Sequence, residues 1–149
     1  MTFRSHMSDA LEEAQAAAAR GEVPVGAVLV GPDGRVLARA GNRTRELADP
    51  TAHAEMLVIR EACRLLGSER LTGCDLYVTL EPCPMCAQAI SAARIARLYY
   101  GAADPKSGGV AQGPRIFTHP QCHHVPEVYE GIGASASAAL LEAFFAVRR

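Results

Sequence analysis

The chain has 149 residues, 49% of them hydrophobic and 21% charged, with a formal net charge of −1, which is typical of one compact soluble domain over residues 1–149. It has no apolar run long enough to span a bilayer and no segment resembling a signal peptide, so we expect a cytoplasmic protein without a membrane partner. The charge excludes a surface that is basic overall, and any nucleic-acid contact must depend on local clusters.

Hydrophobic periodicity and turn residues predict an alternating order of helices and strands. In chain order we expect a helix at 8–20, a hairpin of two strands at 25–30 and 35–40, a helix ending at Gly67, a strand at 75–80, a helix from Pro84, a strand at 97–101, a long segment without predicted elements at 102–133, and a helix at 135–147. Because helices separate some strands while a tight turn joins others, the sheet should be mixed, with helices on its faces.

Two short motifs, H-A-E at residues 53–55 and P-C-P-M-C at residues 82–86, supply metal ligands and one free carboxylate. A catalytic zinc ion uses three protein ligands and leaves a fourth position to water, and His53, Cys83 and Cys86 make three. Both motifs fall at predicted helix starts, with His53 in a first turn and Cys83 at a helix mouth. Glu55 is then free to accept the proton of the water and pass it on.

Other interpretations of the cysteine pair stay open at this point. It is also typical of a redox pair or of half of a structural zinc site. A closed structural site would need a fourth ligand, and none of the candidates shows a second tight ligand spacing; these are Cys63, Cys74, Cys122, His119, His123 and His124. The last four residues of that set also suggest a second metal site, although surface or RNA-facing histidines are the better interpretation.

The combination of H-x-E with P-C-x-x-C is the signature of zinc deaminases that act on cytosine or adenine. With further segments it makes the chain similar to the bacterial tRNA-specific adenosine deaminases over nearly its whole length. Those segments are residues 22–28, 42, 49–55, 76–83, 100–102, 104–106 and 144–145. The resemblance implies a three-layer α/β/α cytidine-deaminase-like fold with a central mixed sheet, one zinc ion per subunit and a homodimer.

The resemblance also implies a reaction, the hydrolytic deamination of adenosine to inosine at wobble position 34 in the anticodon stem-loop of tRNA. A zinc-activated hydroxide would attack the base, with Glu55 as the proton shuttle. A base within folded RNA cannot reach a buried ion, so a flipped-out nucleotide of a single-stranded loop is the accessible target. Two alternatives remain, a deaminase of a free base or nucleoside such as guanine or cytidine, and a noncatalytic zinc-stabilised RNA-binding module.

Six positions are predicted to contact the substrate, namely Val25, Asn42, Ala54, Asp104, Lys106 and Phe145. By resemblance, Asn42 contacts the base and Val25 forms an apolar wall, while the Ala54 amide would help to orient substrate or hydroxide. Residues 104 and 106 would approach the ribose and flanking nucleotides, and an aromatic ring at 145 would stand near RNA. The residues alone leave Asn42 equally typical of a loop or helix cap, and Asp104 of a turn.

Local basic clusters are the further candidates for RNA contact, namely Arg43 with Arg45, Arg94 with Arg97, Lys106, and Arg148 with Arg149. Each is also typical of a solvated surface, and the resemblance favours Lys106 and the C-terminal arginines. Residue 103 is Ala where some relatives carry Arg. The last helix is predicted to pack through one stripe made of Ala136, Ala139, Leu140, Ala143, Phe144 and Val147.

Overall fold

A computed structural model describes residues 4–148 of the chain. Its helices are α1 (Met7–Ala19), α2 (Ala54–Leu66), α3 (Pro84–Ala92) and α4 (Ala134–Val147), and a short 3-10 helix covers Ile116–Thr118. Its strands are β1 (Gly26–Val30), β2 (Val36–Gly41), β3 (Asp75–Leu80), β4 (Arg97–Ala102) and β5 (Glu127–Tyr129). Within this part of the chain, no helix is long and apolar enough to cross a membrane.

The five strands form one mixed sheet in the order β2-β1-β3-β4-β5. β1 runs antiparallel to both of its neighbours, β2 and β3, whereas β3, β4 and β5 are parallel. The predicted hairpin and the mixed sheet are therefore confirmed. The carboxyl ends of β3 and β4 lie at the same edge of the sheet, which is where open α/β sheets place their binding sites.

Helices cover both faces of the sheet, as the three-layer prediction requires. α1 and α4 pack on one face, and α2 packs on the other together with α3. Buried apolar residues form a cluster on each face of the sheet, and alternate residues of β1 belong to the two clusters. Ala27 and Leu29 lie on the α2 side, and Val28 and Val30 lie on the α1 side. Burial on both faces explains why this strand is an unbroken apolar run rather than an alternating one.

The segment predicted to lack regular elements contains the short strand β5. All three of its residues are exposed, so it carries no alternation of buried and solvated side chains from which a strand can be predicted. It pairs with the edge of β4, and Tyr129 stacks on Tyr99 with ring centroids 4.9 Å apart. Strand pairing and aromatic stacking, rather than a buried face, therefore stabilise β5.

The predicted packing stripe of α4 is largely wrong. The buried side chains of this helix are Ser137 and Phe144, and Val147 is 81% exposed. The helix sequence is small and apolar on nearly every side, so no polar face fixes which side turns inward. Ser137 makes the attachment that the pattern could not reveal, because its hydroxyl donates to the carbonyl of Thr79 in β3.

Candidate active site

Two helix N-termini bring the predicted metal ligands together. His53 is the N-cap of α2, one residue before the first turn in which it was predicted, and Glu55 lies in that first turn. Cys83 is the N-cap of α3, with Pro84 beginning the helix as predicted. Cys86 follows one turn later and is buried. The backbone is extended at both N-cap residues, so the ligand side chains converge at the two helix N-termini.

The nitrogen-to-sulfur distances at this centre are those of a tetrahedral zinc site. Nδ1 of His53 lies 3.6 Å from Sγ of Cys83 and 3.5 Å from Sγ of Cys86, and all three atoms lie within 4.8 Å of one another. A nitrogen and a sulfur bound tetrahedrally to zinc, about 2.0 and 2.3 Å from the ion, are about 3.5 Å apart. The donor set therefore fits one zinc ion, with the fourth position left to water.

The electrostatics of this centre favour a thiolate at Cys83. The hydrogen bond from Cys86 lowers the pKa of Cys83 to about 4, against the effect of burial and with a contribution from His53. The same hydrogen bond and burial raise the pKa of Cys86, and contact with Cys83 raises the pKa of His53. One anionic sulfur at a helix N-terminus is thus ready to accept a cation.

Glu55 is the buried acid beside these ligands, with 3% of the residue exposed. Burial raises its pKa to about 7, although its own backbone amide and His53 oppose the shift. A carboxyl group that binds and releases a proton near neutral pH is suited to general acid–base catalysis.

A cavity of about 250 Å³ opens onto this centre. Three of the predicted substrate residues, Val25, Asn42 and Asp104, line it beside His53 and Glu55. The rest of its lining consists of Val23, Thr44, Leu80, Glu81, Cys83 and Ser107. The structure therefore places three of the six substrate predictions at the metal centre.

The Asn42 side chain is held in one orientation at the pocket wall. Its Oδ1 accepts a 2.9 Å hydrogen bond from the backbone amide of Ala54, and 8% of the residue is exposed. The Ala54 amide was predicted to orient substrate or hydroxide, and in the structure it donates its hydrogen bond to Oδ1 of Asn42. Because Oδ1 is used in this way, the Nδ2 amino group remains as the donor that Asn42 can offer in the pocket.

Lys106 and Phe145 lie in a second, adjoining cavity of about 600 Å³. It shares Val23, Leu80, Asp104 and Ser107 with the first cavity and adds Ala103, Lys106, Leu141, Phe145 and Arg148. Phe145 is 45% exposed, and the guanidinium carbon of Arg148 lies 3.5 Å from the Phe144 ring centroid. Arg149 lies outside the described residues. Cations and an aromatic ring therefore flank the pocket mouth.

The other predicted basic clusters make local contacts. Arg43 pairs with Glu46 at 3.3 Å, and Arg45 donates to the Gly21 carbonyl. The remaining two, Arg94 and Arg97, contact the Ser91 carbonyl and the Asp75 carboxylate respectively.

Three members of the predicted second metal cluster, His119, Cys122 and His124, make hydrogen bonds to nearby groups. His119 contacts the Pro114 carbonyl at 2.5 Å, and Cys122 donates to the Ser91 hydroxyl at 3.2 Å. His124 contacts the Ile95 carbonyl at 2.7 Å. Across residues 4–148, the group that could hold a metal is His53 with the two cysteines.

Two buried carboxylates at the rim of the site were missed by sequence reasoning. Glu22 and Glu81 are 1% and 2% exposed, and both accept backbone amides from loops beside the pocket. A signal was present, because Glu81 directly follows a predicted strand and Glu22 lies three residues before another, and a charge beside buried apolar segments needs partners. Those partners are distant in sequence, so the signal could not identify them.

A His/Cys/Cys donor set with a buried glutamate beside it, on an α/β/α scaffold, defines a zinc deaminase. The family model for the cytidine and deoxycytidylate deaminase zinc-binding region matches residues 2–102. The chain is 63% identical over 150 residues to the tRNA-specific adenosine deaminase of Agrobacterium fabrum, covering 100% of this chain and 98% of that protein.

Solved structures agree with this similarity. A chain from a study of A-to-I editing by tRNA:A34 deaminases at the wobble position of transfer RNA is 65% identical, with a TM-score of 0.90, and covers 93% of this chain and 100% of that one. Guanine deaminase from Bacillus subtilis is 32% identical with a TM-score of 0.67, covering 99% and 94%. The chain belongs to the cytidine and deoxycytidylate deaminase family and, within it, to the tRNA-specific adenosine deaminases.

Proposed function

We propose that this chain, as one deaminase domain over residues 1–149, converts adenosine to inosine at wobble position 34 of tRNA by hydrolysis. The observation that carries the proposal is the buried Glu55 carboxyl beside the zinc donor set, at the floor of a pocket. The identity of 63% to a tRNA-specific adenosine deaminase, against 32% to a guanine deaminase, favours this substrate over a free base.

Zinc held by His53, Cys83 and Cys86 would supply the Lewis acidity that brings the pKa of a water molecule near neutrality. Glu55 performs the proton transfers. Its carboxylate accepts one proton from water and delivers it to N1 of adenine, then carries the second proton from the new C6 hydroxyl to the amino group. The C6–N6 bond breaks, ammonia leaves, and the base retains a carbonyl at C6, so one water is consumed for each ammonia released.

Asn42 and Val25 would orient the base. Since Oδ1 of Asn42 accepts the Ala54 amide, Nδ2 faces the substrate as a donor and requires an acceptor, such as a purine ring nitrogen. Val25 is 5% exposed and presents an apolar surface to the base. Ala54 contributes indirectly, because its amide fixes the orientation of the asparagine side chain.

The larger cavity would hold the nucleotides that flank the target. Lys106 supplies a cation for a phosphate, and the half-exposed Phe145 ring offers a surface for base stacking. Asp104 lines both cavities and would lie near the ribose between them. This arrangement suits a nucleotide within RNA better than a free base, which needs one cavity.

The active form would be a cytoplasmic homodimer, since the family resemblance implies a dimer and the proposed substrate is tRNA. Leu47, Leu65 and Leu66 are each about half exposed and offer apolar surface for such an interface. Sedimentation equilibrium of the zinc-loaded protein would test the dimer, and a single monomer mass at micromolar concentration would contradict it.

Incubation with a transcribed tRNA anticodon stem-loop, followed by nucleoside mass spectrometry, tests the proposed reaction. We expect inosine at position 34 and an equal amount of ammonia. A stem-loop with cytidine at that position is the matched control and should remain unchanged. Ammonia release from free guanine or cytidine without inosine in RNA would replace the proposal with the free-base alternative. Tight RNA binding with no product and four protein ligands to zinc would indicate a noncatalytic module.

A further inference from the structure

Glu81 lies between the end of β3 and the cysteine motif, and its carboxylate accepts hydrogen bonds from four backbone amides. Oε1 accepts the amide of Asp104 at 3.0 Å. Oε2 accepts three consecutive amides, those of residues 110, 111 and 112, at 3.1, 2.9 and 3.0 Å. With 2% of the residue exposed, these four bonds replace the water that a carboxylate would otherwise bind.

The four donors belong to one loop, residues 104–112, which encloses the carboxylate. A Cβ built on Gly108 would lie 2.7 Å from Cδ and Oε2 of Glu81, so the glutamate fills the space inside the loop. Real Cβ atoms do not approach other heavy atoms so closely, and only glycine fits at this position.

The same loop packs against the start of α3 and forms part of the pocket wall. The Gly109 amide donates to the Pro82 carbonyl at 2.8 Å, and a Cβ on Gly109 would lie 2.6 Å from the Pro84 nitrogen. Two side chains of the loop, Asp104 and Ser107, line both cavities. The position of the loop therefore sets the shape of the pocket beside the zinc ligands.

We propose that Glu81 is a positioning residue for the substrate pocket. Its carboxylate fixes the 104–112 loop against the N-terminus of α3, and this places Asp104 and Ser107 at the correct distance from Glu55 for RNA to bind productively. Both carboxylate oxygens are occupied by amides, so Glu81 acts through the loop rather than by contact with the reacting base. The proposal rests on the proposed function for the identity of the substrate.

Glu81→Gln should affect the two ends of the loop differently. The variant keeps one acceptor oxygen and gains an NH₂ donor. The arrangement with the oxygen toward the three amides of residues 110–112 keeps the most hydrogen bonds, and it leaves the NH₂ group opposite the Asp104 amide. The Asp104 end should therefore come loose while the rest of the loop stays attached.

We expect Glu81→Gln to raise KM for the anticodon stem-loop about tenfold or more, with a smaller fall in kcat. Zinc content should stay at the wild-type value, and the Asp104 amide should exchange with solvent faster. Asp75→Asn is the matched control, because Asp75 begins the same strand at its other end and pairs with Arg97 at 2.9 Å. It should leave KM and the loop exchange unchanged.

Gly108→Ala provides a second route to the same result, since its methyl group would push the loop away from the Glu81 carboxylate while residue 81 itself stays a glutamate. Both variants should show the raised KM and faster exchange, and if Glu81→Gln does not fold, Gly108→Ala decides alone. Wild-type KM and exchange in the folded variants would overturn the proposal, and so would loss of zinc from Glu81→Gln. If the wild type makes no inosine, the proposed function fails, while the exchange measurement still decides whether Glu81 holds the loop.

Discussion

Within residues 4–148, three glutamates are almost completely buried, yet they have two different kinds of surroundings. Glu22 and Glu81 lie among backbone amides from nearby loops. Glu55 lies beside the zinc ligands, and burial raises its pKa to about 7. Burial by itself therefore does not determine what a carboxylate does; the number of amide donors around it does.

This difference separates structural from chemical roles. A carboxylate surrounded by fixed amide donors holds loops in place through those hydrogen bonds. One with few compensating donors binds and releases a proton readily. We expect substitutions at the two kinds of site to affect different measurements, stability and pocket shape in one case and turnover in the other.

Glu55→Gln should have the largest effect, a large loss of turnover without a loss of stability. The amide cannot relay protons, so kcat should fall by about 10²- to 10⁴-fold, while the zinc content stays unchanged. The midpoint of thermal unfolding should stay the same or rise, because a buried ionisable group is replaced by a neutral one. Single-turnover kinetics and calorimetry measure the two effects. Loss of zinc in this variant would make Glu55 a ligand and remove the contrast.

Zinc removal should affect stability as well as activity. Zinc at a free concentration of 1,000 times its Kd stabilises the folded chain by about 4 kcal/mol. A chelator that removes the ion from Cys83 and Cys86 abolishes this stabilisation. We expect a lower unfolding midpoint that returns when zinc is restored. Glu55→Gln should show the same drop on chelation as the wild type, and a smaller drop would indicate that Glu55 also helps to bind the ion.

A smaller effect on stability is expected from Glu22→Gln. The glutamate accepts the amides of Arg45 and Glu46 at 3.2 and 2.8 Å, and the amino group of a glutamine would face one of these donors. The free energy of unfolding should fall by about 1–3 kcal/mol, measured by urea denaturation. The exposed Glu46→Gln is the control and should change stability by less than about 0.5 kcal/mol. Equal effects of the two variants would contradict a loop-holding role for Glu22.

The smallest expected effect is a pH dependence of the stability difference between the wild type and Glu22→Gln. Burial opposes ionisation of Glu22, but the amides of Glu46 and Arg45 outweigh it and lower its pKa below the ordinary value of 4.5. The folded chain thus binds the proton more weakly than the unfolded chain, so the stabilisation is complete above that value and disappears as pH falls through the lowered pKa. The stability gap between wild type and Glu22→Gln should be constant above about pH 5 and shrink at lower pH. A gap that widens on acidification would refute the assignment.

The sequence was sufficient for the parts of the site that depend on short-range spacing. The ligand motif, the helix start at Pro84 and the strand Asp75–Leu80 all follow from neighbouring residues, and the structure has them at the predicted positions. A proline at the first helical position constrains the local backbone geometry directly, so such features can be predicted without knowledge of the fold.

The features that could not be predicted depend on contacts between distant residues. Glu81 receives amides from 23 to 31 residues further along the chain, in a loop with no periodicity. β5 is too short and too exposed to show a pattern, and α4 lacks a polar face that would reveal its orientation. In each case the tertiary arrangement supplies the information, because the local sequence is compatible with several environments.

The small number of buried side chains in α4 has a consequence for one wall of the larger cavity. This helix forms one wall of the larger cavity through Leu141 and Phe145, yet within α4 the buried side chains are Ser137 and Phe144. A segment with so little buried surface opens locally at a lower free energy than the sheet beneath it. We therefore expect the amides of α4 to exchange with solvent faster than those of β3 and β4, so that this wall of the larger cavity moves more readily than the sheet.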